Sequence, residues 1–355
     1  MKILLFVDKL FGGGAERVAS ILLNHLCEKH NVTAVIFNDK RPPYPLNAKI
    51  KIQKITIDGK FRILHPVERI NKIRETIRDV APDLIISFLV EVNNYILLSN
   101  VFPRIKIIVS ERTTIQRRQP LRIAILRRFL YNMANTVVLT SCDDYNNSKW
   151  LKNKIAIYNP AIFESFSKFD NREKTIIAVG APKRWHIKGF DLLIQAWAKI
   201  AKSHPDWKLQ FIGANDNNHI SDLAKSFKIE KQVEFLDWVK EIDHVLQTKS
   251  IYVLSSRNEG FPNSLIEAMS QGCACVAFDC KTGPNEIITD GKSGLLACNG
   301  DVDDLATKLQ LLIEDENLRQ RLSAGAIEEA KRFDKELIMK QWDELIEEVT
   351  HNKQR

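Results

Sequence analysis

The chain has 355 residues, a length that suits two ordinary domains better than a single core. Its 45% hydrophobic and 27% charged content exclude a disordered or fibrous chain. The net charge of +8 is uneven: residues 1–165 hold 26 Lys and Arg against 14 Asp and Glu, and the remainder 26 against 30. The basic first half asks for an anionic partner, whether nucleic acid, anionic lipid or a phosphorylated substrate. Six cysteines set no disulfide framework. Cys273, Cys275 and Cys280 lack zinc-finger spacing and alternate along an apparent strand, which reads as buried free thiols.

The run Ile3–Val7, closed by Asp8, is too short for a signal-peptide core and is predicted as the first strand. Gly12, Gly13 and Gly14 make a turn that opens a helix over Ala15–Glu28, with Val18, Ile21, Leu22 and Leu26 on one side. Glycines there let a ligand approach the backbone. The run is not G-x-G-x-x-G and no acid follows in ribose-binding context, which disfavours a dinucleotide. Val32–Phe37 is a strand. The helix Pro66–Val80 leads through Ala81-Pro82-Asp83 into the buried strand Leu84–Leu89, and Ile105–Ser110 and Thr136–Thr140 are two more strands.

Between those last two strands, residues 116–130 carry Arg117, Arg118, Arg122, Arg127 and Arg128 with no acid among them, and Leu121, Ile125 and Phe129 share a helical stripe. That composition suits an interfacial helix on anionic headgroups, at on the order of 1 kcal/mol per basic residue. A core-facing helix with a solvated basic face is the alternative. Nucleic acid is disfavoured, because no helix-turn-helix, RNA-recognition or zinc pattern accompanies the charge. No apolar run is long enough to span a bilayer, so the expected location is cytoplasmic, peripheral to the inner face of the membrane.

The pattern restarts after Asn159-Pro160 and the polar stretch Ser165–Lys174. Thr175–Val179, Trp207–Ile212, Val233–Leu236, Ile251–Leu254 and Ala274–Phe278 are predicted strands. Phe190–Ala201, Ile220–Phe227 and Ser264–Gln271 are predicted helices, and a last helix covers Lys335–Val349. Strands separated by helices imply parallel βαβ units, hence α/β domains over residues 1–163 and 164–334. Glu259 sits on the turn leaving a strand, and Glu267 about one turn into the helix that follows. The helix start near Pro262–Ser264 offers free N–H groups to anions. Carboxylates accept hydrogen bonds from vicinal diols. A ligand with a diphosphate and many hydroxyls, such as a nucleotide sugar, suits this combination.

The segment Arg257–Met269, with Gly260-Phe261-Pro262 after the first glutamate and Glu267-Ala268-Met269 at the second, resembles the E-x7-E signature of retaining GT-B glycosyltransferases, in particular family 4. Gly12-Gly13-Gly14-Ala15-Glu16-Arg17 resembles that family's first-domain glycine loop, and Lys188-Gly189 its Lys-Gly pair. Lys281-Thr282-Gly283-Pro284-Asn285-Glu286-Ile287 is similar to its Gly-Gly-Pro-x-Glu-Ile with one glycine missing. The resemblance covers nearly the whole chain. It implies two Rossmann-like doubly wound domains facing a cleft, with the last helix, about 335–350, packing back on the first. The implied reaction moves a sugar from a nucleoside-diphosphate sugar, by default UDP-hexose or UDP-N-acetylhexosamine, to a lipid-linked saccharide acceptor. Capsule, O-antigen or glycoprotein assembly at an anionic membrane surface is the implied setting. No D-x-D-like acidic pair stands beside these motifs, so neither a cofactor nor a metal is expected.

Carried over residue by residue, the resemblance puts Lys188 on the donor diphosphate with Arg184, or else Lys183, because Ala181 stands where the family's arginine follows the glycine. Phe261, Pro262, Asn263 and Ser264 at the helix start and the Gly12–Gly14 loop would join them. Glu267 would hold the ribose diol and Glu259 a sugar hydroxyl. Gly213-Ala214-Asn215-Asp216 and Phe235-Leu236-Asp237-Trp238-Val239 would line base and ribose, with Asp237 replacing the usual glycine. Arg112 stands where many relatives carry a histidine; it would hold a phosphate of donor or acceptor, or is a surface arginine. Two other readings are a nucleotide-sugar 2-epimerase and a non-enzymatic anion- or lipid-surface protein. The second leaves the Glu259–Glu267 segment and Lys188 unexplained.

Overall fold

A computed structural model describes residues 1–39, 44–56, 65–99, 105–116, 120–162, 165–166, 172–213, 218–239 and 241–351. The chain divides into two compact units, one of Met1–Pro160 with the residues from Glu336 onward, the other of Ala161–Lys335. The first holds strands β1 (Lys2–Val7), β2 (Asn31–Ile36), β3 (Lys51–Lys54), β4 (Leu84–Phe88), β5 (Lys106–Ser110), β6 (Thr136–Leu139) and β7 (Lys154–Ala156). Its helices are α1 (Gly14–Leu26), α2 (His65–Val80), α3 (Val90–Ser99), α4 (Leu121–Leu130) and α5 (Cys142–Asn147). The sheet order is β3-β2-β1-β4-β5-β6-β7, with every pair parallel.

Both faces of this sheet are covered, which is why its central strands read as unbroken apolar runs. Ile3, Leu5 and Val7 face one layer, with Val18, Leu22 and Leu26 of α1. Leu4 and Phe6 face the other, with Ile73 and Ile77 of α2 and Ile96 of α3. Edge strands β3 and β7 escape a reading by pattern, because Lys51-Ile52-Gln53-Lys54 and Lys154-Ile155-Ala156 bear little apolar signal. Backbone pairing to β2 and β6 makes them strands.

The C-terminal helix, Lys335–His351, belongs to this unit beyond its first residue. Ile338, Met339, Trp342, Leu345, Ile346 and Val349 form an i, i+1, i+4, i+7, i+8, i+11 stripe within the α1-side core. Trp342 is fully buried and stacks on Phe88 at 6.4 Å. Asp343 fixes the other edge of the stripe, accepting from Lys29 Nζ at 3.0 Å and pairing with His25 at 2.9 Å. Trp342→Ala is expected to destabilise the first unit by about 3–5 kcal/mol, measured as a lowered denaturation midpoint with lost exchange protection in β4.

The second unit holds β8 (Glu173–Val179), β9 (Lys208–Ile212), β10 (Val233–Leu236), β11 (Lys249–Leu254), β12 (Ala274–Phe278) and β13 (Leu295–Ala297). Its helices are α6 (Phe190–Ile200), α7 (Asn218–Ser226), α8 (Ile242–Thr248), α9 (Asn263–Ser270), α10 (Pro284–Ile287), α11 (Val302–Glu314) and α12 (Glu316–Ala330). The order is β10-β9-β8-β11-β12-β13, again parallel throughout. Its core joins Ile176, Phe190, Trp197, Phe211, Val253 and Leu309. Cys273, Cys275 and Cys280 are buried free thiols, and burial pushes Cys273 to about 11 and Cys280 to about 12. Both units are Rossmann-like parallel sheets, in agreement with the α/β reading. Strand order reverses beside β1 in one and beside β8 in the other, and doubly wound sheets bind ligands at the carboxyl ends of strands near such switch points.

Candidate functional site

In the second unit the candidate residues come from three strand ends. After β8 the chain makes a short 3-10 turn at Pro182–Arg184 and reaches Lys188 and Gly189, the latter capping α6 at φ +62°. A Cβ on Gly189 would lie 1.9 Å from the Ser255 carbonyl oxygen, so a side chain here is barred by both conformation and space. The contact joins the loop after β8 to the loop after β11. Ser255 Oγ donates to the Lys188 carbonyl at 2.8 Å, and Arg257 N donates to Ile187 O at 2.9 Å. The Arg257 guanidinium grips Asp191 bidentately, both bonds at 2.7 Å.

This clamp brings Lys188 to Glu259. Lys188 Nζ donates to Glu259 Oε1 at 2.9 Å, and Ser256 Oγ donates to the same oxygen at 2.6 Å. Burial alone would push the Glu259 carboxyl up. The Lys188 charge and hydrogen bond, the Ser256 hydroxyl and the Arg184 charge outweigh it and hold the group below the usual carboxylate range. Thr282 Oγ1 donates to the Glu259 carbonyl at 2.6 Å. Thr282 and Gly283 both have positive φ, and a Cβ on Gly283 would meet Pro262 Cδ at 2.6 Å. The Lys281–Ile287 segment thus shapes the Glu259 turn, a role that its sequence alone did not disclose.

Helix α9 begins after Pro262 with no side-chain cap on its first N–H groups. Ser264 Oγ accepts from Tyr252 Oη at 2.7 Å, and Phe261 is buried edge-on to Phe333 at 5.6 Å. Glu267, in the second turn, is 8% exposed. Lys183 and Arg184 are both exposed, and Arg184 is the one whose charge reaches Glu259. Ala214, Asn215 and Asp216 lie outside the described residues. Trp238 beyond β10 is 72% exposed.

In the first unit, Gly12 adopts φ +81° and Gly13 precedes α1. A Cβ on Gly13 would lie 2.0 Å from Glu16 Oε2, so Glu16 folds back over the glycine turn, with Lys9 Nζ 3.8 Å from its carboxylate. Arg112 follows β5 and is no surface arginine: it is 7% exposed and lies against the rings of Phe88 and Trp342 at 5.0 and 5.5 Å. Glu111 beside it is buried and accepts from Tyr131 Oη and Thr113 Oγ1 at 2.7 and 2.8 Å.

The arginine-rich segment splits. Arg117 and Arg118 lie outside the described residues. Arg122 and Arg128 are exposed on α4, in line with a cationic surface. Arg127 corrects the expectation of a membrane-facing cation: it is buried, donates from Nη2 to Ile115 O at 2.8 Å and lies 3.9 Å from Glu111. The helical phase that turns Leu121, Ile125 and Phe129 outward turns residue 127 inward. Those three are 76, 47 and 74% exposed, so the apolar stripe faces solvent and not the core. Among the described residues no helix is long and apolar enough to cross a membrane, and no group of three His, Cys, Asp or Glu is placed to hold a metal ion.

Lys188→Met should leave Glu259 buried without its cation and cost the second unit roughly 2–4 kcal/mol at pH 7. The sign with pH should also change. In the wild type the lowered carboxyl adds stability above about 4.5, lost as pH falls through its folded value. In the variant the raised carboxyl should make stability rise as pH falls from 7 to 5, read by thermal unfolding at both.

Residues 160–329 match the family Glycosyl transferases group 1. The amylovoran biosynthesis glycosyltransferase AmsD of Erwinia amylovora is 29% identical over 361 residues, covering 97% of this chain and 99% of its own. The Campylobacter jejuni GalNAc-alpha-(1->4)-GalNAc-alpha-(1->3)-diNAcBac-PP-undecaprenol alpha-1,4-N-acetyl-D-galactosaminyltransferase is 27% identical over 358 residues, covering 98% and 99%. Anabaena HepE in complex with UDP superposes with a TM-score of 0.80 at 19% identity, over 98% of this chain and all of that one (100%). Two parallel Rossmann-like units, the Glu259–Glu267 segment around the start of α9 and these likenesses support a GT-B glycosyltransferase of the family-4-like type.

Proposed function

We infer that the protein transfers a sugar, with retention at the anomeric carbon, from a UDP-sugar to a lipid-linked saccharide in bacterial surface-glycan assembly. The observation that carries this reading is the Lys188–Glu259 pair, closed over 71 positions of sequence beside the open start of α9. A cation, a carboxylate and a helix start without a side-chain cap are then in one unit with Glu267. The leaving group is a diphosphate, so catalysis consists mainly of stabilising its growing charge. Lys188, Arg184 and the N–H groups at Asn263 and Ser264 take that part without a metal. Glu267 holds the ribose diol, Phe261 and Pro262 shape the turn, and Glu259 exchanges its Lys188 contact for a sugar hydroxyl. The acceptor hydroxyl attacks from the leaving-group face and gives its proton to a phosphate oxygen.

The names of relatives support the acceptor class: one serves amylovoran biosynthesis and another is named for a PP-undecaprenol acceptor. HepE, a fold relative, binds UDP. Glu267→Ala should lower acceptor-dependent UDP release from a matched UDP-sugar by roughly a hundredfold, and EDTA should not affect the wild type. No UDP release from any UDP-sugar, or restoration by magnesium after EDTA, would count against this reading.

The solvent-facing stripe Leu121, Ile125 and Phe129, flanked by Arg122 and Arg128, supports peripheral docking on an anionic bilayer. Leu121→Asp with Phe129→Asp should weaken sedimentation with phosphatidylglycerol vesicles at least tenfold. Equal sedimentation of variant and wild type would remove α4 from the docking surface.

A further inference from the structure

Arg112 is a buried charged group outside the Lys188–Glu259 site. Its guanidinium lies over the faces of Phe88 and Trp342, which attract a cation without offering it a lone pair. Nη1 donates to Asn159 Oδ1 at 2.8 Å. Nε and Nη2 are buried and have no hydrogen-bond partner among the described residues. These two nitrogens form the side-on fork of an arginine, a parallel N–H pair whose spacing matches two oxygens of one phosphate or carboxylate.

The nearby acid does not fill the fork. Glu111 is already engaged by Tyr131 and Thr113, and Arg127 lies 3.9 Å from it. Two arginines therefore face one carboxylate in a buried setting. Burial lowers Arg112 to about 9, which leaves it cationic at neutral pH. Ser110 Oγ and Thr140 Oγ1, just past the carboxyl ends of the adjacent β5 and β6 or at them, are also buried without a partner among the described residues. A buried cation with an unpaired bidentate edge costs stability unless a partner completes it.

We propose that Arg112 is a specificity residue whose Nε–Nη2 fork binds two oxygens of a phosphate group on a substrate, the diphosphate of the lipid-linked acceptor being the source that the chemistry favours. The choice of acceptor over donor rests on the transferase reading above, in which Lys188 and Arg184 hold the donor diphosphate. Phosphate binding by the fork does not rest on it.

The test compares the full-length wild type with Arg112→Lys, which keeps the charge, and Arg112→Gln, which removes it. A short-chain prenyl diphosphate is titrated by thermal shift with UDP saturating, and UDP is titrated alone. Both variants should bind the prenyl diphosphate roughly tenfold or more weaker than wild type. Their preference for a diphosphate-linked saccharide over the matching uncharged alkyl glycoside should fall by the same factor. Weakened UDP binding with unaltered prenyl diphosphate binding would assign the fork to the donor's phosphate and overturn the acceptor assignment. Arg112→Lys matching wild type in every titration would overturn the fork, as would equal losses with charged and uncharged acceptors. Should Arg112→Gln fail to fold, Arg112→Lys decides alone. The thermal-shift arm needs no turnover, so it stays readable even if the transferase reading fails.

Discussion

Parallel strand pairing, without exception in either sheet, is the constraint on which the arrangement of functional groups depends. Each return to the sheet requires a crossover, and each crossover places a loop at the carboxyl end of the strand just left. The glycine turn after β1, Arg112 after β5, Lys188 after β8 and Glu259 after β11 all stand at such ends. Neighbouring strands make neighbours of residues far apart in the chain. Because β8 and β11 pair directly, Ser255 O can seat against Gly189 and Lys188 can reach Glu259. Helices on both faces keep the sheet dry, so the polar groups at its carboxyl edge work in a setting of lowered dielectric.

That setting makes every charge at the edge expensive, and the two units handle the expense differently. In the second, a lysine, a serine hydroxyl and a nearby arginine outweigh the burial of Glu259 and keep it ionised. In the first, Glu111 is engaged by Tyr131 and Thr113 while the adjacent Arg112 rests against two rings. One of those rings, Trp342, comes from the C-terminal helix, so the last turns of the chain complete the surroundings of a residue more than two hundred positions earlier. A stripe that buries six apolar residues therefore also fixes the electrostatics at the end of β5.

Helix α4 shows how an amphipathic helix can serve two purposes. Leu121, Ile125 and Phe129 look outward, while Arg127 reaches in to Ile115 O and toward Glu111. An apolar stripe exposed to this degree suits the proposed docking on a bilayer. Its inward arginine ties the same helix to the β5 edge through a buried charge-assisted hydrogen bond.

Much of the architecture was legible in the residues. The central strands β1, β4, β11 and β12 are apolar runs of strand length. The helix Lys335–His351 announces itself by its stripe, and the Glu259–Glu267 segment by its filling. Those signals are local, set by periodicity and by turn chemistry within a few residues. Edge strands β3, β7 and β13 were not, since an edge is defined by the partner it pairs with more than by its own composition. Nor could sequence tell Arg127 from Arg122 and Arg128, or show that Arg112 is buried against two rings. Those outcomes depend on the phase at which a helix packs and on contacts between residues distant in the chain, and only the folded tertiary structure supplies either.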